Sequence, residues 1–351
     1  MGIKEKLMKP FLNKSNSYRY YKNYYDAHNG PNYKKELNDL KKEFAKFKKE
    51  NDKFKRDTNE YIASANYLLN NIFLDFSHEP KKPLQNIKSL CAELLVFVDK
   101  ICKKHDIQWW LDGGNCLGAV RHGDFVPWDD DVDIGMVRKD YNRFIKIIYD
   151  EVEANNLRDF IDIDYRRKGI DGNLVNTFMQ LWIKRPVDDR SSILGGVDIF
   201  PFDYITAFHY DDLNKVYHDS REKYYRNLDN KMSYEDSLDI LFKDLGLSMD
   251  ETDWIVPGVE GSFGLPREVI KLRTFDRTKI FPLKETQFGD HIFPIPNDPD
   301  YYLRKIYGKY MDVPKSVRRH NRIGRFRYVK NADVLFEECL ARMREANENF
   351  E

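Results

Sequence analysis

The chain has 351 residues, and its 58 Lys plus Arg balance its 58 Asp plus Glu, so the formal net charge is zero. This length is enough for one large domain or two ordinary ones with substantial cores. A balanced charge gives no reason to expect nucleic acid as a partner, and any basic site must be local.

Cysteine spacing and the apolar segments restrict the class of protein further. No apolar run approaches the roughly 20 residues of a transmembrane helix, and the start MGIKEKLMKPFLNK has no apolar stretch typical of a secretion signal. We therefore expect a cytoplasmic protein, either soluble or peripheral to the inner face of a membrane. The cysteines show neither CxxC pairs nor zinc-ligand spacing, which predicts reduced thiols: Cys91, Cys102, Cys116 and Cys339.

Residues 1–33 form a basic and aromatic N-terminal segment. Its lysines and Arg19 are interspersed with tyrosines between positions 20 and 25. Such a segment could rest on an anionic bilayer surface, which is a peripheral membrane contact. A solvated, partly disordered tail explains the same residues equally well.

Residues 34–80 predict a long helix that is a candidate coiled coil. Apolar residues alternate in steps of three and four with Lys, Glu and Asp between them, and Asn51 occupies an a position that favours a dimer. Two interpretations remain open: a homodimer through residues 37–72, or a helix folded back on its own chain. The heptad positions are Leu37, Leu40, Phe44, Phe47, Asn51, Phe54, Thr58, Tyr61, Ala65, Leu68 and Ile72.

From residue 84 to residue 330 the pattern predicts one mixed α/β domain with a mixed sheet, followed by a C-terminal helix in 331–351. No internal repeat is present. Helices are predicted near 84–105, 115–121, 141–153, 210–228, 234–246, 299–307 and 331–348, and strands near 108–111, 130–136, 160–166, 174–184, 195–200 and 278–293.

The most informative segment is residues 111–137, which reads LDGGNCLGAVRHGDFVPWDDDVDIGMV. Carboxylate and apolar side chains alternate from Asp131 to Ile134, so on a strand Asp131 and Asp133 point to one face. Two like charges so close are costly unless a cation lies between them, and oxygen ligands suit Mg²⁺. The segment therefore predicts a magnesium site.

A Gly-Gly turn precedes the aspartates. Gly113 and Gly114 suit a tight turn where backbone approaches a phosphate, and the short helix that follows offers its N-terminal N–H groups to the anion. The order of strand, Gly-Gly turn, short helix and Asp-x-Asp strand resembles the active-site signature of the nucleotidyltransferase fold.

The wider sequence resembles the LicD family, which includes bacterial phosphocholine transferases and relatives of fukutin and fukutin-related protein. Three blocks carry the resemblance: GGNCLGAVRHGDFVPWDDDVDIGMVRKDYNRF, GGVDIFPFDYI at 195–205, and FPLKETQFGDHIFPIPNDPDYYLRKIYGKYMDVPKSVRRH at 281–320. It covers roughly residues 84–325. The resemblance implies transfer of a phospho-substituent from a CDP-linked donor to a sugar hydroxyl of a glycan or lipid-linked glycan, with release of CMP.

On that basis we expect the acidic residues to divide by role. Asp131, Asp133 and Asp198 are predicted to hold Mg²⁺ or Mn²⁺, with Asp198 in the second of the three blocks. Asp129 is the candidate general base for the acceptor hydroxyl, or else a second metal ligand. Asp130 should point the other way on the strand and take no part.

We expect basic side chains to contact the donor phosphates. Arg121 and His122 leave the short helix just before the aspartates, although a salt bridge from Arg121 to a structural carboxylate is an equal alternative. The resemblance adds candidates near the donor from the third block. Together with the two glycines, the predicted donor-binding residues are Gly113, Gly114, Arg121, His122, Lys305, Tyr307, Arg318 and His320.

The donor's head group is less determined. CDP-choline is favoured through the family's bacterial members, and aromatic faces would hold its quaternary ammonium, with Trp109, Trp110, Trp128 and Trp182 as candidates. CDP-ribitol or CDP-glycerol would instead need hydrogen-bonding side chains, such as Asn173, Asn176 and Gln180. Two other functions stay open: a nucleotidyltransferase acting on a small molecule or protein, and an inactive scaffold protein.

Overall fold

The computed structural model of the chain describes residues 31–68, 82–184 except 171 and 173, 193–206, 213–312 except 268, 269 and 271, and 332–350. The chain divides into two compact units, with the boundary after Ala63. Within the described ranges, every helix is too short or too polar to span a lipid bilayer.

The first unit contains most of helix α1, Pro31–Leu68, which has 38 residues. Proline fits the first helical position because its missing N–H would have no partner there. From Asn32 to Leu68 the sequence has neither Gly nor Pro and is rich in Lys, Glu and Asp, so nothing interrupts the helix. The basic and aromatic segment before it and positions 69–80 lie outside the described residues.

The second unit is built on one mixed sheet. The strands are β1 Trp110–Leu111, β2 Val132–Val137, β3 Ile161–Asp164, β4 Met179–Lys184, β5 Ile193–Ile205, β6 Leu247–Ser248, β7 Trp254–Pro257 and β8 Phe275–Asp276, with a separate hairpin of β9 Lys284–Phe288 and β10 His291–Ile295. The main path of the sheet runs β1-β2-β5-β4-β3; β6 and β7 pair with β5, and β8 pairs with β7. Strands β2 and β5 are parallel, and the other pairs are antiparallel.

Helices cover the sheet and its edges. The apolar face of α2 is buried and contacts β5, because Gly195 leaves room for the Cys91 sulfur. The C-terminal helix α9 packs on α2, where Asn347 donates to the Glu93 carbonyl at 2.9 Å. The helices are α2 Lys82–Lys104, α3 Gly113–His122, α4 Arg138–Ala154, α5 Leu213–Asp229, α6 Tyr234–Leu245, α7 Arg277–Ile280, α8 Pro299–Tyr307 and α9 Ala332–Glu348.

The mixed α/β prediction is confirmed, with differences at element ends. The aspartate strand begins at Val132 rather than near residue 130. Strand β5 runs on to Ile205, because its far half pairs with β6 and β7. The region 278–293 begins with the one-turn helix α7 before the β9–β10 hairpin. All four cysteines are buried, and none of them forms a disulfide.

Candidate active site

The register of the parallel strands places two of the predicted aspartates opposite each other. Asp133 on β2 pairs with Asp198 on β5. On the other side of β5, Gln180 on β4 pairs with Asp198, and its Nε2 donates to the Asp198 carboxylate at 2.9 Å. Residues that are directly opposite in a sheet point to the same face, so these three side chains converge.

Three further aspartates precede β2. Asp129, Asp130 and Asp131 can each offer a carboxylate oxygen within 4.8 Å of the others. Asp130 therefore does not point away from its neighbours as the strand pattern suggested. The reason is that β2 begins at Val132, so the alternation of a strand does not apply to residues 129–131.

The Gly-Gly turn brings backbone against these carboxylates. Gly113 has a φ of 47°, in the left-handed region where a side chain is strained. At Gly114 a Cβ atom would lie only 2.7 Å from Asp129 Oδ2, closer than real Cβ atoms approach. Gly113 is thus required by its backbone conformation, and Gly114 is required because a side chain would collide with Asp129.

Asp112 and Asn115 hold the turn to β2, and sequence reasoning missed both. Asp112 is the N-cap of α3; its carboxylate accepts from the Gly113 N–H at 2.6 Å and from the Tyr302 hydroxyl. Asn115 Oδ1 accepts from the Asp133 N–H at 2.7 Å, and Asn115 Nδ2 donates to the Asp131 carbonyl at 3.2 Å. An Asp directly before Gly-Gly is a capping signal that could have identified Asp112.

The site is strongly acidic. Burial raises the pKa of Asp133 well above its ordinary value, and repulsion from Asp131, Asp198, Asp112 and Asp129 raises it further. Burial also raises the pKa of Asp112. A divalent cation would reverse this effect, since it favours the ionised carboxylates, and an all-oxygen set of side chains is the kind that Mg²⁺ prefers. The residues present therefore fit a magnesium ion.

The structure describes three of the basic side chains that were predicted to bind the donor phosphates, and each makes contacts of its own. The Arg121 guanidinium donates to the Tyr310 carbonyl at 2.7 Å and lies over the Trp128 ring. Burial and the charge of Arg121 lower the pKa of His122, which favours the neutral ring. Lys305 donates to the Thr274 carbonyl at 2.8 Å.

Tyr307 lies at the turn, with its hydroxyl 3.5 Å from where a Cβ of Gly113 would be. Burial raises the pKa of Tyr307, and the nearby carboxylates raise it further, with Asp112 contributing the most among them. Arg318 and His320, the other two donor-binding candidates, lie outside the described residues.

Lys88 is a further residue that the sequence analysis missed. It is buried on α2, and its ammonium donates to the carbonyls of Val126 and Pro127, both at 3.0 Å. Burial lowers the pKa of Lys88 to about 8, against the attraction of Asp124, Asp129 and Asp130. The signal was a lysine on the apolar face of α2, with buried Leu84, Cys91 and Leu95 at helical spacings from it.

A cavity of about 260 Å³ adjoins the turn. Asp112 and Gly113 form part of its wall, and Arg273 supplies a guanidinium. Phe200 and Phe202 follow Asp198 on the same face of β5, so the aromatic wall continues directly from the acidic site. The remaining lining combines three aromatic residues, Tyr217, Phe275 and Tyr302, with the aliphatic Leu265, Ile270, Leu272 and Ile306.

The four tryptophans proposed for the head group do not line this cavity. Trp110 is fully buried with its indole against Gly135, and Trp109 donates to the Asp99 carboxylate at 3.3 Å. Trp182 packs on Gly196. Of the polar candidates, Gln180 reaches Asp198, Asn176 bonds the backbone of Phe178, and Asn173 is outside the described residues.

A parallel pair of strands carrying opposed aspartates, next to a Gly-Gly turn and a short helix, defines a nucleotidyltransferase-type domain. A family model described as LicD/FKTN/FKRP, nucleotidyltransferase domain, matches residues 106–234. This segment is therefore similar to the LicD family, and the resemblance predicted from the sequence is confirmed.

Similar proteins agree with this assignment. The lipopolysaccharide cholinephosphotransferase LicD of Haemophilus influenzae is 36% identical over 75 residues, which are 21% of this chain and 28% of that protein. Human ribitol 5-phosphate transferase FKRP is 46% identical over 44 residues, 12% of this chain and 9% of the relative. Human ribitol-5-phosphate transferase FKTN is 34% identical over 59 residues, 17% and 13% respectively. The matches thus span less than a third of each of these relatives.

Proposed function

We propose that this chain is a Mg²⁺-dependent phosphotransferase that moves a phospho-substituent from a CDP-linked donor to a glycan hydroxyl and releases CMP. The observation that carries this proposal is the convergence of Asp133 and Asp198 from paired parallel strands, beside the Gly113 turn. Phosphoryl transfer needs positioning and charge stabilisation more than covalent chemistry by the protein. An acidic site next to a partly exposed turn of backbone suits that task.

Asp131, Asp133 and Asp198 are the proposed metal ligands. When bound, Mg²⁺ supplies the positive charge that neutralises phosphate oxygens as the leaving group departs. The closeness of Asp129 to Asp131 is compatible with either of its proposed roles, as general base or as second ligand. Asn115 fixes the backbone between these carboxylates, and Gln180 orients the Asp198 carboxylate.

The cavity beside the turn is the proposed position of the donor's nonphosphate part. Its wall includes Gly113, where phosphate would approach the backbone, and Arg273, whose guanidinium would contact the phosphates. Aromatic walls support a choline head group, since a quaternary ammonium is attracted to ring faces. We therefore keep CDP-choline ahead of CDP-ribitol and CDP-glycerol, although relatives named for both choline and ribitol phosphate transfer are similar to the chain.

The test is CMP release from each CDP-linked donor with Mg²⁺ and a glycan acceptor. We expect Asp133→Asn to lower the rate about 100-fold or more while leaving the fold intact, as loss of one charge-stabilising group in an active site does. Asp162→Asn is the matched control, because Asp162 is a carboxylate on β3 of the same sheet outside the acidic site, and it should keep full activity.

Binding separates the competing functions. A CDP-linked donor should stabilise the protein in a thermal-shift assay more than CMP does, and equal shifts would contradict the donor class. A nucleotidylated acceptor without CMP release would point to a nucleotidyltransferase. Full biological function in an Asp131→Asn, Asp133→Asn double variant would point to a scaffold protein.

A further inference from the structure

Helix α1 presents an apolar face to solvent. Large rings recur on one side of it at heptad spacing and are largely exposed: Phe47 at 62%, Phe54 at 68% and Tyr61 at 58%. Exposed apolar surface of this size and regularity marks an interaction site. We define the heptad face as the a and d positions of α1, from Leu37 to Leu68.

The residues that flank the heptad face carry opposite charges on its two sides. At the g positions, just before a, lie Glu43 and Glu50; at the e positions, just after d, lie Lys48 and Lys55. All four side chains are exposed. Charges at e and g set the choice of partner and its direction in coiled coils.

This arrangement distinguishes the two directions in which a second copy could bind. In a parallel, in-register pair each g residue faces the e residue five positions later on the other helix, so Glu43 meets Lys48 and Glu50 meets Lys55. An antiparallel pair places g opposite g and e opposite e, which sets Glu against Glu and Lys against Lys. We infer that α1 forms a parallel, in-register coiled coil with α1 of a second copy of this chain.

Asn51 agrees with this register. It occupies an a position between the exposed rings of Phe47 and Phe54. In register, Asn51 of each copy faces Asn51 of the other and the two amides hydrogen-bond, an arrangement that selects dimers. A shift of one heptad would place each Asn51 opposite an apolar or hydroxyl side chain, which leaves its amide unsatisfied.

The helix is long enough to hold such a pair. Its 38 residues contain about five heptads, which exceeds the three to four that typify a coiled coil. Within one helix, Lys46 and Glu50 approach to 4.0 Å with both side chains exposed. Ion pairs of that kind contribute little, so they do not replace the interhelical contacts. The dimer would join two LicD-family domains in one particle, whatever donor they use.

The first test is sedimentation velocity of the full chain at about 10 µM. We expect a dimer, and a Glu43→Lys, Glu50→Lys variant should dimerise roughly tenfold or more weakly, since each substitution acts twice in the symmetric pair. A monomer for the unmodified chain would overturn the inference, and so would a trimer or tetramer. A monomer would also support the alternative that α1 packs on its own chain.

A full charge reversal tests the direction of the helices. The variant carries Glu43→Lys, Lys48→Glu, Glu50→Lys and Lys55→Glu. In a parallel homodimer of this variant, each substituted g residue again faces an e residue of opposite charge. When it is mixed with the unmodified chain, a parallel pair predicts self-sorting into two homodimers. Preferential mixed dimers would mean that g faces g, and the parallel orientation would be wrong.

A cysteine cross-link tests the register. Leu40→Cys places a thiol at a d position near the start of the helix, where it meets its own copy only in a parallel, in-register pair. Mild oxidation should give a covalent dimer on a denaturing gel. Asn38→Cys, at an outward b position, is the matched control and should stay uncross-linked. Because all four native cysteines are buried, they should not interfere; no cross-link at position 40 in a dimeric protein would contradict the register.

Discussion

Two clusters of charged residues lie along strands β2 and β5, an acidic one at Asp133 and Asp198 and a second one where β2 ends. Asp133 and Asp198 form a register pair in the acidic cluster. Five residues after them stand Arg138, the first residue of α4, and Asp203 on β5, which form a salt bridge at 2.7 Å. The chain therefore holds an acidic pair at one place along these strands and a neutralised pair at the other.

The neutralised cluster is complete. The Arg138 guanidinium donates to both carboxylate oxygens of Asp203, at 2.7 and 2.9 Å, and to both of Glu260, at 2.5 and 2.9 Å. Arg138 is only 2% exposed. The two carboxylates raise its pKa against the effect of burial. This cluster ties β5 to α4 and to the turn around Glu260.

The acidic cluster lacks this balance at Asp133, because the charges that shift its pKa are all carboxylates. The comparison shows how the chain treats buried acids differently according to their role. Where a carboxylate is structural, the fold supplies an arginine. At Asp133 the groups that shift the pKa are carboxylates, and the proposed Mg²⁺ would bring the positive charge that arginine supplies to Asp203.

Replacing Arg138 should give the largest effect on stability. Arg138→Met removes the cation and leaves Asp203 and Glu260 buried together, so the free energy of unfolding should fall by about 3–5 kcal/mol. Urea unfolding measures the change. Arg143→Met, on the same helix but with a guanidinium that is 45% exposed and pairs with Asp140 at 3.0 Å, should cost less than about 1 kcal/mol. Equal losses in the two variants would show that the buried cluster is not a special source of stability.

Part of this contrast could be predicted from the sequence. The sequence proposed Asp131 and Asp133 from an alternation that the structure extends to Asp133 alone, since β2 begins at Val132, and it proposed Asp198 from resemblance to a family block. The contacts of Arg138 could not be predicted, because Asp203 and Glu260 are 65 and 122 residues further along the chain. The prediction for Asp130 was wrong because the start of a strand depends on its pairing with a neighbouring strand. Strand β2 begins two residues later than predicted, which leaves Asp130 outside the region where side chains alternate.

Lys88 contacts the backbone just before the aspartates at 129–131, so its replacement should disturb the acidic cluster indirectly. Lys88→Met keeps much of the side-chain volume but leaves the carbonyls of Val126 and Pro127 without their donor. We expect a loss of about 1–3 kcal/mol in the free energy of unfolding. The loop that carries Asp129 and Asp130 should also loosen, so Mg²⁺ affinity, measured by calorimetry, should fall about 10- to 100-fold.

The control for Lys88 is Lys103→Met on the same helix, where the lysine side chain is 67% exposed and pairs with Asp99. It should change neither stability nor Mg²⁺ affinity by much. If Lys88→Met lowers stability and leaves Mg²⁺ affinity unchanged, then the lysine supports the core alone and does not position the aspartates.

Of these substitutions, Asp133→Asn should change stability the least. It should raise the free energy of unfolding, whereas Arg138→Met and Lys88→Met should lower it. Because the pKa of Asp133 is raised by folding, the folded protein holds that proton more tightly than the unfolded chain does. The free energy of unfolding of the metal-free protein should therefore fall as pH rises from the ordinary pKa of Asp, near 3.9, through the raised one. Asparagine has no charge to lose, so the variant escapes this decline.

At neutral pH the metal-free Asp133→Asn variant should melt about 1–2 °C above the unmodified protein, the shift that ~1 kcal/mol gives at this size. The difference should vanish near pH 4. Added Mg²⁺ should reverse the order, since it stabilises the protein only where the ligands are intact. Asp162→Asn should follow the unmodified protein throughout. A variant that melts lower than the unmodified protein without metal would mean that Asp133 is stabilised by its surroundings, and the contrast with Arg138 and Asp203 would fail.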